Sequence, residues 1–222
     1  MVNVIPTPPA VLAAFERLYH EFVKPGNLVF DVGANIGENT ALFAGLGARV
    51  VAVEPLAQCA AAIEAHANVR LEQCAIGARA GTIELAVCSR ALDISSASPA
   101  WIDAMQRAGL ARGPWDERVV VPVSTLDDLI ARYGSPSFIK IDVEGYEAEV
   151  LRGLSERVDA ISLETHRAML DTSLACLDRL LELGFRRFAI SPGHSAELSS
   201  WMDARAAAAA MGALEWGDLY AR

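Results

Sequence analysis

The stretch Val29-Phe30-Asp31-Val32-Gly33-Ala34-Asn35-Ile36-Gly37-Glu38-Asn39-Thr40 decides the fold. An apolar strand runs into a tight glycine turn and then into helix-forming sequence, the order that opens a ligand crevice in a parallel sheet. Gly33 and Gly37 let the backbone turn sharply and leave space for a ligand where side chains would stand. Backbone N–H groups at the following helix start are expected to supply donors. Asp31 lies at the strand's carboxyl end, where open parallel sheets bind their ligands.

Twenty-one residues after Gly33, the apolar run Arg49–Val53 ends in Glu54. A carboxylate at the tip of a second strand accepts two hydrogen bonds from vicinal ribose hydroxyls, so loop and acid together point to a nucleoside-containing cofactor. A dinucleotide site calls for G-x-G-x-x-G, with the pyrophosphate at the helix N-terminus. Here the spacing is G-x-x-x-G and Asp31 precedes it. A fixed carboxylate repels a pyrophosphate but suits an ammonium, and S-adenosylmethionine (SAM) therefore fits better than NAD.

Outward from this core the chain alternates. Pro8–Val23 carries Val11, Leu12, Phe15, Leu18, Tyr19 and Phe22 at helical spacing, and their apolar face would serve either the core or a homodimer contact. Strands are expected at Leu28–Val32, Arg49–Val53 and Val69–Ile76, with helices over Thr40–Leu46 and Leu56–His66. Gly81–Cys88 and Arg118–Val123 read as strands that pair with each other. Between them, residues 89–117 show weak periodicity and read as a mobile insertion covering the site. Thr125 and Asp128 predict a capping box for a helix ending at Tyr133. Phe138–Val143, Ala160–Glu164 and Phe185–Ser191 continue the strands, Tyr146–Leu154 and Ser173–Leu183 the helices. Residues 196–213 are helix-prone, and Leu214–Ala221 is expected to close the sheet edge. The pattern predicts an α/β fold with a mostly parallel sheet and helices on both faces, one domain over residues 1–222, with the N-terminal helix inside 1–26.

A second acidic stretch follows the strand Phe138-Ile139-Lys140-Ile141: Asp142-Val143-Glu144-Gly145-Tyr146-Glu147. Apolar neighbours argue for burial, so these charges need partners. Asp142 would project over the cofactor crevice. Glu164 and His166 end the next strand and would lie beside it, with Glu144 and Glu164 toward the acceptor. Ser95 and Ser96 in the insertion are placed to reach the same pocket.

Composition excludes several classes. Of 222 residues, 53% are apolar, too many for a solvated coil. The longest apolar stretch, Ala206–Leu214, has nine residues, where a membrane span needs ~20. Nineteen basic against 28 acidic residues give a net charge of -9, which argues against nucleic-acid binding. The N-terminus shows no basic segment followed by an apolar core, so no signal peptide is expected. Cys59, Cys74, Cys88 and Cys176 are scattered without C-x-x-C pairs, which fits a reducing cytoplasm and small buried hydrophobes.

These residues resemble the FkbM-type SAM-dependent methyltransferases. The likeness is carried by Asp31–Gly37, Glu54-Pro55, Ala75-Ile76-Gly77 with Gly81, Ser95-Ser96, Thr125-Leu126-Asp127, Lys140–Glu147 and Glu164, with a weaker echo at Asp218-Leu219-Tyr220. The resemblance implies a class I SAM-methyltransferase (Rossmann-like) fold with seven strands, the last antiparallel. It also implies transfer to a hydroxyl of a sugar, polyketide or other small metabolite. SAM would be held by Asp31, Gly33, Ala34, Asn35, Gly37, Asn39, Thr40, Glu54, Pro55, Ala75, Ile76 and Asp142.

Methylating a hydroxyl needs a base within hydrogen-bond reach. His166 is the first expectation, because neutral imidazole takes a proton near pH 7, and Asp142 the second. Alternatively Asp142, Glu144, Glu164 and His166 hold a divalent cation that acidifies the hydroxyl, although no metal ligand set is assigned. Rival readings are a SAM-binding protein without transferase activity, an N-methyltransferase and, last, an NAD-dependent oxidoreductase. No Asn/Asp-Pro-Pro-Tyr-like loop follows the fourth strand, which favours oxygen over nitrogen.

Overall fold

The computed structural model describes residues 4–64 and 66–222. In chain order its strands are β1 (Leu28–Val32), β2 (Arg49–Val53), β3 (Val69–Glu72), β4 (Ala75–Ile76), β5 (Gly81–Val87), β6 (Glu117–Ser124), β7 (Phe138–Ile141), β8 (Ala160–His166), β9 (Phe188–Pro192) and β10 (Trp216–Ala221). The helices are α1 (Pro9–Tyr19), α2 (Glu38–Gly45), α3 (Ala57–Ala60), α4 (Pro99–Ala108), α5 (Leu126–Tyr133), α6 (Glu147–Arg152), α7 (Leu170–Glu182) and α8 (Ala204–Ala213). Seven strands form one sheet in the order β3-β2-β1-β7-β8-β10-β9, and β4-β6-β5 form a second. In the large sheet β10 runs antiparallel to both its neighbours, β8 and β9.

The central strands are apolar because both sheet faces are covered. Phe30, Val32, Ile139, Ile141, Ile161 and Leu163 face one cluster with Leu126, Leu129, Val150, Leu177 and Met211 from α5–α8. Val29 and Phe138 face the other, with Phe15, Leu18 and Tyr19 of α1 and Phe43 of α2. Phe22 stacks at 5.1 Å on both Phe138 and Tyr220. The apolar face of α1 is thus spent on the core.

Chain order reverses between β1 and β7, so the crevice of this sheet opens at their carboxyl ends. There the loop after β1 meets the loop after β7. Gly33 has φ +82°, and a Cβ on it would stand 1.8 Å from the Asp142 carbonyl oxygen. A Cβ on Gly37 would press on Ile63 at 3.2 Å. Both glycines therefore answer to protein packing, a demand the sequence reading did not include.

Other expectations need correction. The helix expected over Leu56–His66 forms one turn, Ala57–Ala60, and Ala65 lies outside the described residues. The strand expected over Val69–Ile76 breaks after Glu72, and Ala75-Ile76 cross to the second sheet. The segment expected to be a mobile insertion is built: Ser98 caps α4 through the N–H of Trp101, and Gly109 at φ +70° ends it. Trp101, Ala104, Met105 and Trp115 make a small core of their own with Cys88 and Ile94. The C-terminal segment does not close the edge; β10 lies inside the sheet and β9 is the edge. The Thr125–Asp128 capping box and the β5–β6 pairing form as expected.

Gly33→Ala should destabilise the protein by more than ~2 kcal/mol in urea unfolding, since it adds a backbone clash to a left-handed φ. Gly45→Ala, with open space around the new methyl, should be neutral or stabilising by ~0.5–1 kcal/mol.

Candidate active site

The carboxyl ends of β1, β2, β7 and β8 border a cavity of about 710 Å³. At one end lie Gly33, Ala34, Asn35, Ile36, Glu54 and Pro55, with an apolar slot of Leu56, Cys74, Ala75, Ile76 and Leu92. At the other lie Asp142, Glu144, Glu164 and His166, roofed by Trp101, Met105 and Arg112 from the built segment. Val4–Pro8 also line it, tied down where the Thr7 N–H donates to Glu38 Oε1 at 2.9 Å.

Glu54 is fixed by its neighbours' backbone. The Asn35 N–H donates to its Oε2 at 2.9 Å and the Leu56 N–H to its Oε1 at 2.8 Å. Burial pushes its carboxyl up to about 7, against the pull of those two donors. The loop's own donors are consumed within the protein. Gly33 and Ala34 N–H both reach the Val53 carbonyl, and Gly37 N–H reaches Ala34. With the Asn35 N–H on Glu54, four donors of the turn are spent within the protein, while the expected donors at the helix start, Glu38 and Asn39, lie on the cavity wall.

Asp31 and Thr40 bind each other. The Thr40 hydroxyl donates to Asp31 Oδ2 at 2.6 Å, and Asp31 is 1% exposed. Burial raises the Asp31 carboxyl to about 6, opposed by Thr40 and the Lys140 ammonium. Asp31, Gly37 and Thr40 stand behind the cavity wall, so direct cofactor contact by these three is corrected. Asn39 does line the cavity and accepts at Oδ1 from the Tyr19 hydroxyl at 3.0 Å. Asn35 Oδ1 is buried without a partner among the described residues.

The register of the sheet sets Asp31 beside Lys140 and Lys140 beside Ser162 on one face. Lys140 is 4% exposed, and its Nζ donates to Asp142 Oδ2 at 2.8 Å. Burial would lower the ammonium's pKa, but Asp142, Asp218 and Asp31 outweigh it and hold it raised. Sequence reasoning missed this lysine as a site residue, although a charge inside an apolar strand is itself a signal.

The loop after β7 is shaped by its own acid. Val143 and Gly145 N–H both donate to Glu147 Oε1 at 3.2 Å. Glu144 takes φ +55°, outside the usual region for a residue with a side chain. Its carbonyl accepts from the Ser96 hydroxyl at 2.6 Å. Ser96 is buried in that bond, and Ser95 Oγ accepts from the Cys88 N–H at 3.3 Å. Ser96 therefore braces the loop and lies outside the cavity lining, correcting its expected substrate contact; Ser95 lines the cavity.

Asp142, Glu144 and Glu164 each bring a carboxylate oxygen within 4.8 Å of the others. Burial, then the neighbouring carboxylates, hold Glu144 and Glu164 well above the usual range. His166 sits edge-on to Trp101 at 5.5 Å. Its Nδ1 accepts from the Ala168 N–H at 3.1 Å. A backbone N–H cannot accept, so neutral His166 carries its proton on Nε2. This corrects the expectation of His166 as base: the imidazole presents a donor there.

Residues 31–187 match the methyltransferase FkbM domain. The chain is 32% identical over 175 residues to the 31-O-demethyl-FK506 methyltransferase FkbM of Streptomyces tacrolimicus, covering 65% of this chain and 67% of that protein. The protein belongs to the FkbM methyltransferase family. Among solved structures, EvdMO1 is similar over 100% of this chain and 44% of its own, at 12% identity and TM-score 0.51. The precorrin-6y C5,15-methyltransferase of Geobacter metallireducens GS-15 is similar over 98% of this chain and 89% of its own, at 13% identity and TM-score 0.49. The fold is that of class I methyltransferases. Among the described residues no helix is long and apolar enough to cross a membrane, and all four cysteines are free and buried.

Asp31, Glu54 and Glu147 hold protons more tightly folded than unfolded. Their stabilisation is complete below about pH 4 and is lost as pH rises through about 6 for Asp31 and about 7 for Glu54 and Glu147. The urea midpoint of the ligand-free protein should accordingly fall between pH 5 and 8. A midpoint that rises across that window would contradict the burial of these acids.

Proposed function

We propose that the protein is a SAM-dependent O-methyltransferase acting on a small hydroxyl-bearing metabolite in the cytoplasm. The observation that carries the reading is Glu54, anchored at the β2 tip beside an apolar slot. Such a site suits the ribose and base of an adenosine. Membership of the FkbM methyltransferase family favours SAM over NAD.

The residues present fit that cofactor. Glu54 keeps lone pairs for a ribose diol beyond its two backbone bonds. Ala75, Ile76, Leu56 and Leu92 offer an adenine an apolar slot. Asp142 stands where an ammonium or sulfonium would be favoured. When bound, SAM supplies an electrophilic methyl group on sulfur. The side chains beyond it orient an acceptor and receive the hydroxyl proton. Glu164, on the cavity wall beside Asp142 and Glu144, is the carboxylate assigned to receive that proton. His166 donates from Nε2 and orients the acceptor oxygen. Oxygen as nucleophile is supported by the relative, whose name places its methyl at a 31-O position.

Glu54→Gln should weaken SAM binding about 10–100-fold, the usual loss when a charged hydrogen-bond partner is removed. Because the Glu54 carboxyl must ionise to accept both hydroxyls, wild-type affinity should rise with pH up to about 7 and then level off, whereas E54Q should lack that limb. Calorimetry across pH tests both; unchanged binding in the variant would sink the reading. Glu164→Gln should cost ~10²–10⁴ in kcat, the range of one general base, while His166→Gln should cost far less and keep the pH–rate profile. The reverse ranking would restore His166 as base.

A further inference from the structure

The cavity has a wall that neither the large sheet nor the built segment supplies. Val4–Pro8, the chain just before α1, borders it. The two contacts that hold this stretch fall on the two sides of Glu54, whose own bonds run to Asn35 in the turn and to Leu56 beside the apolar slot. On the slot side, Val4 packs on the cluster of Leu56, Leu85 and Leu92. On the turn side, the Thr7 N–H donates at 2.9 Å to Oε1 of Glu38, the first residue of α2. The segment thus runs along the cavity border from the slot to the turn.

Its anchoring is unequal along its length. From Pro8 onward the chain is fixed: the Pro8 carbonyl accepts from the Val11 and Leu12 N–H groups, Phe15, Leu18 and Tyr19 are buried, and the Tyr19 hydroxyl ties α1 to Asn39 of α2. Before Pro8, among the described residues, the bond from Thr7 to Glu38 is the one hydrogen bond to the rest of the protein. Val4 and Thr7 are half-buried while Ile5, Pro6 and Pro8 are exposed, the three-residue repeat of an extended proline-rich chain. Pro8 itself sits at φ −56° and ψ 139°, in that extended region. Pro6 and Pro8 fix φ and carry no N–H, so the shape is pre-set and few donors remain to bond elsewhere. A stretch stiff in itself, rooted at one end and held by one hydrogen bond and one apolar side chain, can lift as a unit.

We propose that Val4–Thr7 is a strap over the cofactor end of the cavity, latched by Glu38, which lifts about Pro8 to let the cofactor in and out. This rests on the transferase reading above and adds how that site exchanges its cofactor. Entry and exit then both scale with the fraction of time the strap is lifted. Weakening the latch speeds both, whereas loss of an ordinary ligand contact speeds exit alone. The two rates together therefore separate a gate from a mere wall.

The test uses the full chain and S-adenosylhomocysteine. Thr7→Pro removes the donor while keeping an extended backbone, and Glu38→Ala removes the acceptor. In biolayer interferometry, association and dissociation should both quicken about tenfold in each variant, the loss expected for one hydrogen bond to a charged group. The double variant should be no faster than either single one, because both substitutions break the same bond. In the wild-type chain, saturating adenosylhomocysteine should slow hydrogen exchange at the Val4, Ile5 and Thr7 amides, read by mass spectrometry. The proposal is overturned if dissociation is unchanged in the variants, if dissociation alone quickens, if the two substitutions add, or if exchange in the segment ignores the ligand. A wild-type protein that fails to bind adenosylhomocysteine at all would instead overturn the transferase reading.

Discussion

The site depends on one close contact, the missing side chain of Gly33 against the carbonyl of Asp142. Pairing of β1 with β7 continues past the strand ends, where the Asp142 N–H donates to the Val32 carbonyl at 2.9 Å. The loop after β1 and the loop after β7 are therefore packed backbone to backbone. One loop borders the cofactor end of the cavity and the other carries the acids of the acceptor end. Their separation is set by main-chain geometry, which is stiffer than any rotamer and suits a reaction that requires close approach of two bound molecules.

A second constraint is electrostatic. Asp31, Glu54, Glu144, Glu147 and Glu164 are all raised by burial, and Lys140 is the buried cation among them. Thr40, backbone N–H groups and Lys140 satisfy part of that set within the protein. Glu144 and Glu164 are left facing the cavity, held above the usual carboxylate range by burial and by neighbouring carboxylates. Positive charge brought among these carboxylates favours their ionised forms.

Much of the frame was legible in the sequence because local and tertiary demands agree there. β1 and β2 begin and end where their apolar runs do, and Thr125 and Asp128 form the capping box their spacing implies. The misreadings have physical causes. Ala60–Ala62 favour helix locally, yet the turn after Ala60 brings Ile63 against Gly37. Val69–Ile76 reads as one strand, but its two ends belong to different sheets. The site was legible as a set of residue types and obscure in its wiring. Glu54, Asp142, Glu144, Glu164 and His166 do border one cavity. That Asp31 is spent on Thr40, Ser96 on a carbonyl and His166 Nδ1 on an N–H follows from bonds between neighbours that spacing alone does not reveal.

The weakly periodic segment 89–117 shows why acceptor choice and chemistry are coupled. Its Ser96 hydroxyl holds the Glu144 carbonyl and, with the Glu147 bonds on either side, steadies a glutamate at φ +55°. Its Trp101 lies where a Cβ on Gly145 would stand 2.6 Å from the Trp101 Cβ, so only glycine there lets the indole close over the acids. A change in this segment that reshapes the acceptor end must also move Glu144. The cofactor end is insulated from such changes, because Glu54 is held by Asn35 and Leu56 from its own side of the crevice. The two ends of the cavity are thus held by separate sets of bonds, and the boundary between them is the backbone contact at Gly33.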